Sequence, residues 1–295
     1  MDMNSNALRQ ACGVAADYQE VICDGVSLAV SRAGKGRPVV CLHAIAHGGG
    51  DYHTFADALQ EDYEIILLDW PGHGRSGPDR EPPSAGRYAD LLEMLLEKLN
   101  IPNPILVGNS IGGAAAILYA SRRPTRGLVL CDSAGLLPVN AVVRTTVSLF
   151  VRFFRAGERN ARWFPHAYRF YYRRLVLPSA AAAAQREQII RAGTEYAPLL
   201  RQAWESFARP AADIRALVAT LDIPIWVAWC RGDQVIPLWM CRPAIRRMRH
   251  AQLTLFSGGH AAFLEQPQAF IEGFRKFAGT LENVSGIGKP VRASA

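Results

Sequence analysis

The 295-residue chain has no CxxC pair, no grouping of cysteine with histidine at metal-ligand spacing, and no apolar run near the roughly 18 residues that a bilayer span requires. Its six cysteines, Cys12, Cys23, Cys41, Cys131, Cys230 and Cys241, lie far apart, which argues against zinc. Cys41 and Cys131 fall inside apolar runs, where free thiols behave as small hydrophobes, so a reducing compartment is expected. The first twenty residues carry acidic and amide side chains and no apolar core of signal-peptide length. A soluble, cytoplasmic protein without a metal or an organic cofactor is the resulting expectation.

What is present is globular in composition: 49% hydrophobic and 20% charged residues rule out both a disordered chain and a membrane bundle. The net charge of +7 is localised. Thirteen arginines and five acidic residues lie between Leu136 and Arg215, which leaves the remainder close to neutral. No nucleic-acid-binding module accompanies that charge, so nucleic acid is not an expected partner.

Short apolar runs alternate with helical stretches. Tyr18 to Ser31 reads as two strands about a turn at Asp24-Gly25; PVVCLH (38–43), YEIILLD (63–69), ILV (105–107), GLVLC (127–131), PIWVAW (224–229) and AQLTLF (251–256) read as further strands. Helices are expected at 89–99, 112–121 and 267–281. Apolar strands separated by helices require a mostly parallel central sheet covered on both faces, an α/β fold. From 136 to 215 the alternation stops and the sequence is helical in flavour. The expected organisation is a core of residues 18–135 and 216–283, a helical cap at 136–215, and flexible tails at 1–17 and 284–295.

Gly108-Asn109-Ser110-Ile111-Gly112-Gly113 follows one predicted strand and precedes a helix, the context of a nucleophile elbow. Glycines flank the serine because a side chain there would strike neighbouring backbone, and the helix start favours developing negative charge. A serine hydroxyl needs a base. Of seven histidines, His260 lies in a loop after the last predicted strand. His166 and His250 have arginine-rich surroundings that suit solvated groups, and His53 and His73 suit structural roles. The imidazole in turn needs a carboxylate, for which Asp233 follows PIWVAW, and Asp132, at the end of GLVLC, is the alternative acid. For an oxyanion, the amide of Ile111 supplies one donor. The loop after His43 supplies the second, from Ile45 or Ala46, or in another register from the glycines of His47-Gly48-Gly49-Gly50.

These motifs, with LHA at 42–44, DWPGHGRS at 69–76, Gly232-Asp233 and SGGH at 257–260 followed by EQP, resemble the α/β-hydrolase superfamily over roughly residues 20 to 281. Within it they look most like the branch of meta-cleavage-product (carbon–carbon bond) hydrolases and related carboxylesterases. The resemblance implies a Ser110–His260–Asp233 triad and a helical cap between the sixth and seventh strands. Two positions depart from the pattern: Ala44 replaces the usual glycine after His43, and Ala261 stands where carbon–carbon hydrolases often have tryptophan. Serine at 110 argues against the dehalogenases and epoxide hydrolases, which resemble this chain but use aspartate. Hydrolysis of a hydrophobic ester is expected, with carbon–carbon cleavage or acyl transfer as alternatives. A non-catalytic ligand receptor of the same fold would be marked by a damaged triad, and all three groups are here.

The segment 145–174 carries nine aromatics and seven arginines against one acid, Glu158. Cap helices that pack aromatics inward and expose arginine account for most of this pattern. A basic amphipathic surface touching anionic lipid is the alternative.

Overall fold

A computed structural model describes residues 18–284. The tails expected at 1–17 and 284–295 lie outside the described residues, apart from Val284, which ends the last helix. Eight strands form one sheet in the order β1-β2-β4-β3-β5-β6-β7-β8. They are β1 (Tyr18–Cys23), β2 (Val26–Ala33), β3 (Arg37–Leu42), β4 (Tyr63–Leu68), β5 (Ile105–Asn109), β6 (Gly127–Cys131), β7 (Ile225–Cys230) and β8 (Ala251–Phe256).

β1 and β2 form an antiparallel hairpin whose turn residues Asp24 and Gly25 have φ of 50° and 77°. An Asp-Gly turn with both φ positive has a twist that matches the flanking strands. β2 pairs antiparallel with β4, and every pairing from β4 to β8 is parallel. All residues of β5, β6 and β7 are buried, as continuous apolar strands between two helical layers must be. β8, at the edge, exposes its middle residues.

The helices are α1 (His53–Leu59), α2 (Ala85–Lys98), α3 (Ile111–Ala120), α4 (Ala141–Glu158), α5 (Phe164–Tyr171), α6 (Ala183–Arg191), α7 (Gly193–Phe207), α8 (Arg215–Val218), α9 (Leu238–Ile245), α10 (Ala262–Glu265) and α11 (Pro267–Val284). α2 begins four residues before the sequence expectation. Its start is set by Ser84, whose side chain accepts from the Arg87 amide and satisfies one of the free N–H groups of the first turn. α4 begins in the same way at Asn140, which accepts from the Val143 amide.

Between β6 and β7 the described residues hold helices and no strand. In this insertion Phe150 stacks on Trp204 at 4.0 Å, which joins α4 to α7, and Phe153, Phe154, Phe164 and Tyr171 pack around them. All seven arginines of 145–174 are exposed, whereas Trp163 and Phe170 are the only exposed aromatics of the nine. No described helix is long and apolar enough to cross a membrane.

Candidate active site

The strand order reverses about β3, and in open parallel sheets ligands sit beyond the C-terminal strand ends at such a reversal. The residues singled out in the sequence gather there. Ser110 follows β5, Asp132 follows β6, Asp233 lies three residues past β7, and His260 lies four past β8.

Ser110 has φ 54° and ψ −120°, a sparsely populated conformation for a non-glycine residue, held by its amide bonding to the Cys131 carbonyl at 3.1 Å. The turn is as tight as the glycines imply. A Cβ at Gly108 would lie 2.6 Å from the Gly112 oxygen, and one at Gly112 would lie 2.3 Å from the Leu42 oxygen. Asn109 donates to the carbonyls of Cys131 (3.0 Å) and His260 (2.9 Å), so the elbow also holds the backbone of the histidine.

The His260 ring gives Nδ1–H to Asp233 Oδ2 at 2.9 Å. The other oxygen of Asp233 accepts from the amides of Val235 (2.8 Å) and Ile236 (2.9 Å), which fixes the carboxylate in a buried position. Burial alone would push the His260 pKa down, but the Asp233 charge and hydrogen bond outweigh it and raise the pKa above the usual imidazole value. Nε2 is the ring nitrogen left for a proton from elsewhere, and Ser110 and His260 line the same cavity.

Asp132, the alternative acid, is also fully buried, and its polar atoms lie within 4.8 Å of those of Asp233 and His260. It does not bond the imidazole. Oδ1 accepts from the Cys230 amide at 2.7 Å and Oδ2 from the Cys131 thiol at 3.4 Å. Burial, reinforced by the nearby Asp233 charge, raises its pKa well above the usual carboxylate value.

Two further histidines shape the loop after β3. His43 gives Nδ1–H to the Ala44 carbonyl and accepts from the Trp70 amide at Nε2 (2.9 Å). His73 gives Nδ1–H to the Pro71 carbonyl and accepts from the Ala46 amide at Nε2 (2.9 Å). Burial lowers both pKa values to about 3, so both rings are neutral acceptors at physiological pH. The expectation that Ala46 offers its amide to an oxyanion is therefore corrected, because His73 consumes that donor. The glycine register loses Gly49 similarly, since its amide donates to Asp69 Oδ1 at 2.8 Å. Ile45 and Ile111 keep amides with no protein acceptor among the described residues, the latter as the first residue of α3. His166 and His250 are exposed, as expected of them.

The cavity measures about 190 Å³. Ala44, Ile45, Ser110 and His260 face it from the core, and Val143, Val147, Leu200 and Trp204 wall it from the insertion. Two groups in contact with this site had no role assigned from sequence. Glu265, buried, accepts from the Gly259 amide (2.6 Å) and from the Ser179 amide of the insertion (3.1 Å). Asp51, also buried, joins the His47 ring to the Gln185 side chain of α6. The EQP triplet was a visible signal for Glu265, and the four-residue spacing of His47 and Asp51 for the other. Their partners across the insertion had no sequence signal.

A strained serine between a strand and a helix, a buried imidazole–carboxylate pair at the next strand ends, and the strand order together define the class. The chain belongs to the alpha/beta hydrolase family, which it matches over residues 39–272. Among individual proteins, it is 30% identical over 260 residues to the pimeloyl-[acyl-carrier protein] methyl ester esterase of Xanthomonas campestris pv. campestris, covering 84% of this chain and 97% of that one. It is 27% identical over 276 residues to a 2-hydroxy-6-oxononadienedioate/2-hydroxy-6-oxononatrienedioate hydrolase of Pseudomonas sp, covering 83% and 89% respectively. A thermophilic esterase from Thermogutta terrifontis shares the fold with a TM-score of 0.75 at 22% identity, over 90% of this chain and 99% of that one.

Proposed function

We propose that the protein hydrolyses carboxylic esters of hydrophobic acids through an acyl-enzyme on Ser110. The observation that carries this reading is the 2.9 Å bond from His260 to the buried, doubly amide-held Asp233, in a cavity that also contains Ser110. His260 Nε2 takes the Ser110 proton as Oγ attacks the ester carbonyl. The amides of Ile111 and Ile45 receive the oxyanion, and Asp233 stabilises the imidazolium. The proton then passes to the departing alcohol. Water, deprotonated by the same imidazole, attacks the acyl-enzyme and releases the acid. The apolar walls suit an acyl chain or an aromatic ring, and residues 136–215 act as a cap over the core of 18–135 and 216–283.

A p-nitrophenyl ester series from acetate to palmitate, run with the native chain and Ser110→Ala, tests the reading. Activity lost by about 10⁴-fold or more in the variant, with fluorophosphonate labelling of the native serine, is the expected outcome. No ester turnover and an unlabelled serine would sink it. The likeness to the dienedioate hydrolase favours one second reading, carbon–carbon cleavage on the same groups, which would register as consumption of a vinylogous diketone without ester turnover.

Small esters are the proposed partners. Contact of the insertion with anionic lipid is supported by Trp163 (54% exposed) and Phe170 (62% exposed) beside Arg162 and Arg169; co-sedimentation with phosphatidylglycerol vesicles, absent with phosphatidylcholine, checks it. A reducing, cytoplasmic setting is supported by the five described cysteines, all buried free thiols.

A further inference from the structure

The cavity holds a second histidine–carboxylate pair. His47 follows the loop that carries Ile45, and its side chain is 2% exposed. Nδ1 is bonded to Asp51, whose side chain is fully buried, and the other Asp51 oxygen accepts from the Gln185 amide of α6. Asp51 is thus bound from the core on one side and from the insertion on the other, and it fixes the orientation of the ring. With Nδ1 committed, Nε2 is the nitrogen left to face the cavity, and among the described residues it has no protein partner. His43 and His73 differ on this point, since each has both ring nitrogens bonded to backbone.

A polar atom with a prearranged orientation in a mostly apolar cavity is a selectivity device. A substrate that pairs with it gains a hydrogen bond, and an apolar isostere leaves it unpaired. The mechanism above has no use for a second imidazole, because proton transfer needs only His260. Resting on that esterase reading, we infer that His47 is a specificity-determining residue that hydrogen-bonds an oxygen substituent on the acyl chain of the substrate: with Nδ1–H given to Asp51, Nε2 accepts from a hydroxyl, and in the imidazolium form it donates to a carboxylate. The preferred ester is then apolar along most of its length but oxygenated at one position away from the scissile bond. Asp51 and Gln185 are positioning residues: they hold the ring without touching the substrate.

The test uses methyl esters matched in shape and hydrolysed in a pH-stat. Methyl 3-hydroxybutanoate is compared with methyl 3-methylbutanoate, and monomethyl succinate with methyl 4-methylpentanoate. In the native chain the oxygenated member of at least one pair is expected to have the higher kcat/KM by about tenfold, the size of one well-placed hydrogen bond. His47→Leu should abolish or invert that ratio through KM and leave the apolar ester within about threefold of native. Asp51→Asn, which keeps the ring but loosens it, should reduce the ratio by a smaller factor. A purely structural His47 would slow both members of a pair equally and leave their ratio unchanged. Equal kcat/KM within both pairs for the native chain overturns the inference without any variant, while leaving ester hydrolysis standing. Failure to hydrolyse any of the four esters, with Ser110 unlabelled by a fluorophosphonate, overturns the esterase reading and this inference with it.

Discussion

The core side of the cavity is built from strand ends, the insertion side from helix faces, and the two hold their residues by different means. On the core side, Ser110 is bonded through its amide, Asp233 accepts two amides and an imidazole, and His260 is held through its carbonyl by Asn109. On the insertion side, Val143, Val147 and Leu200 are placed by packing, with the Phe150–Trp204 stack behind them. A hydrogen-bonded position demands one residue type, whereas a packed position demands volume and tolerates exchange. Identity is therefore fixed on the hydrogen-bonded side, His47 included, and the packed side is where the volume open to an acyl chain can vary.

Substitutions can break or sharpen this division. The largest effect is expected from Asp233→Asn, which removes the partner of the imidazolium: kcat/KM should fall by about 10⁴-fold, and by a similar factor for every acyl length. A loss that tracked acyl length would show that the core side also reads chain length. Glu265→Ala comes next. It frees the Gly259 and Ser179 amides and lets the His260 loop shift, so a loss of about 10- to 100-fold in kcat is expected, with a lower Tm; Glu265→Gln, which keeps an acceptor, should recover part of both. Val147→Ala, on the insertion wall, should move the acyl optimum of an ester series to longer chains by changing relative kcat/KM a few-fold while short-ester kcat holds.

The smallest effect is a matter of pH. In the proposed mechanism His260 must be neutral to accept the serine proton, so kcat/KM is expected to rise with pH through a pKa that lies above the ordinary imidazole value. The negative charge of Asp132 contributes to that elevation. Asp132→Asn removes the charge, and the acid limb of the pH profile should move to lower pH with the plateau retained. An unmoved limb would show that Asp132, its pKa raised by burial, is protonated and carries no charge at the base.

The central strands and the grouping of Ser110, Asp233 and His260 were legible because those strands are short apolar runs and each of the three residues lies within four positions of a strand end. The choice between Ile45 and Ala46 was not, because it depends on a ring contributed from beyond β4, His73, reaching the Ala46 amide. The Asp51–Gln185 contact joins residues 134 positions apart, and no periodicity links them. The aromatics of 145–174 were read correctly in the main, since most turn inward, but which two remain outside was set by the packing of α4, α5 and α7.

One backbone bond ties the two sides together. The amide of His260 donates to the carbonyl of Val176, in the π-helical turn Tyr172–Val176 of the insertion, at 2.7 Å. The insertion is thus part of the frame that holds the imidazole as well as a wall of the cavity. A chimaera that replaced residues 136–215 with the corresponding segment of a relative would change the substrate wall and the support of the base together. New selectivity grafted in this way is therefore coupled to turnover unless the carbonyl at 176 and the amide at 179 keep their places.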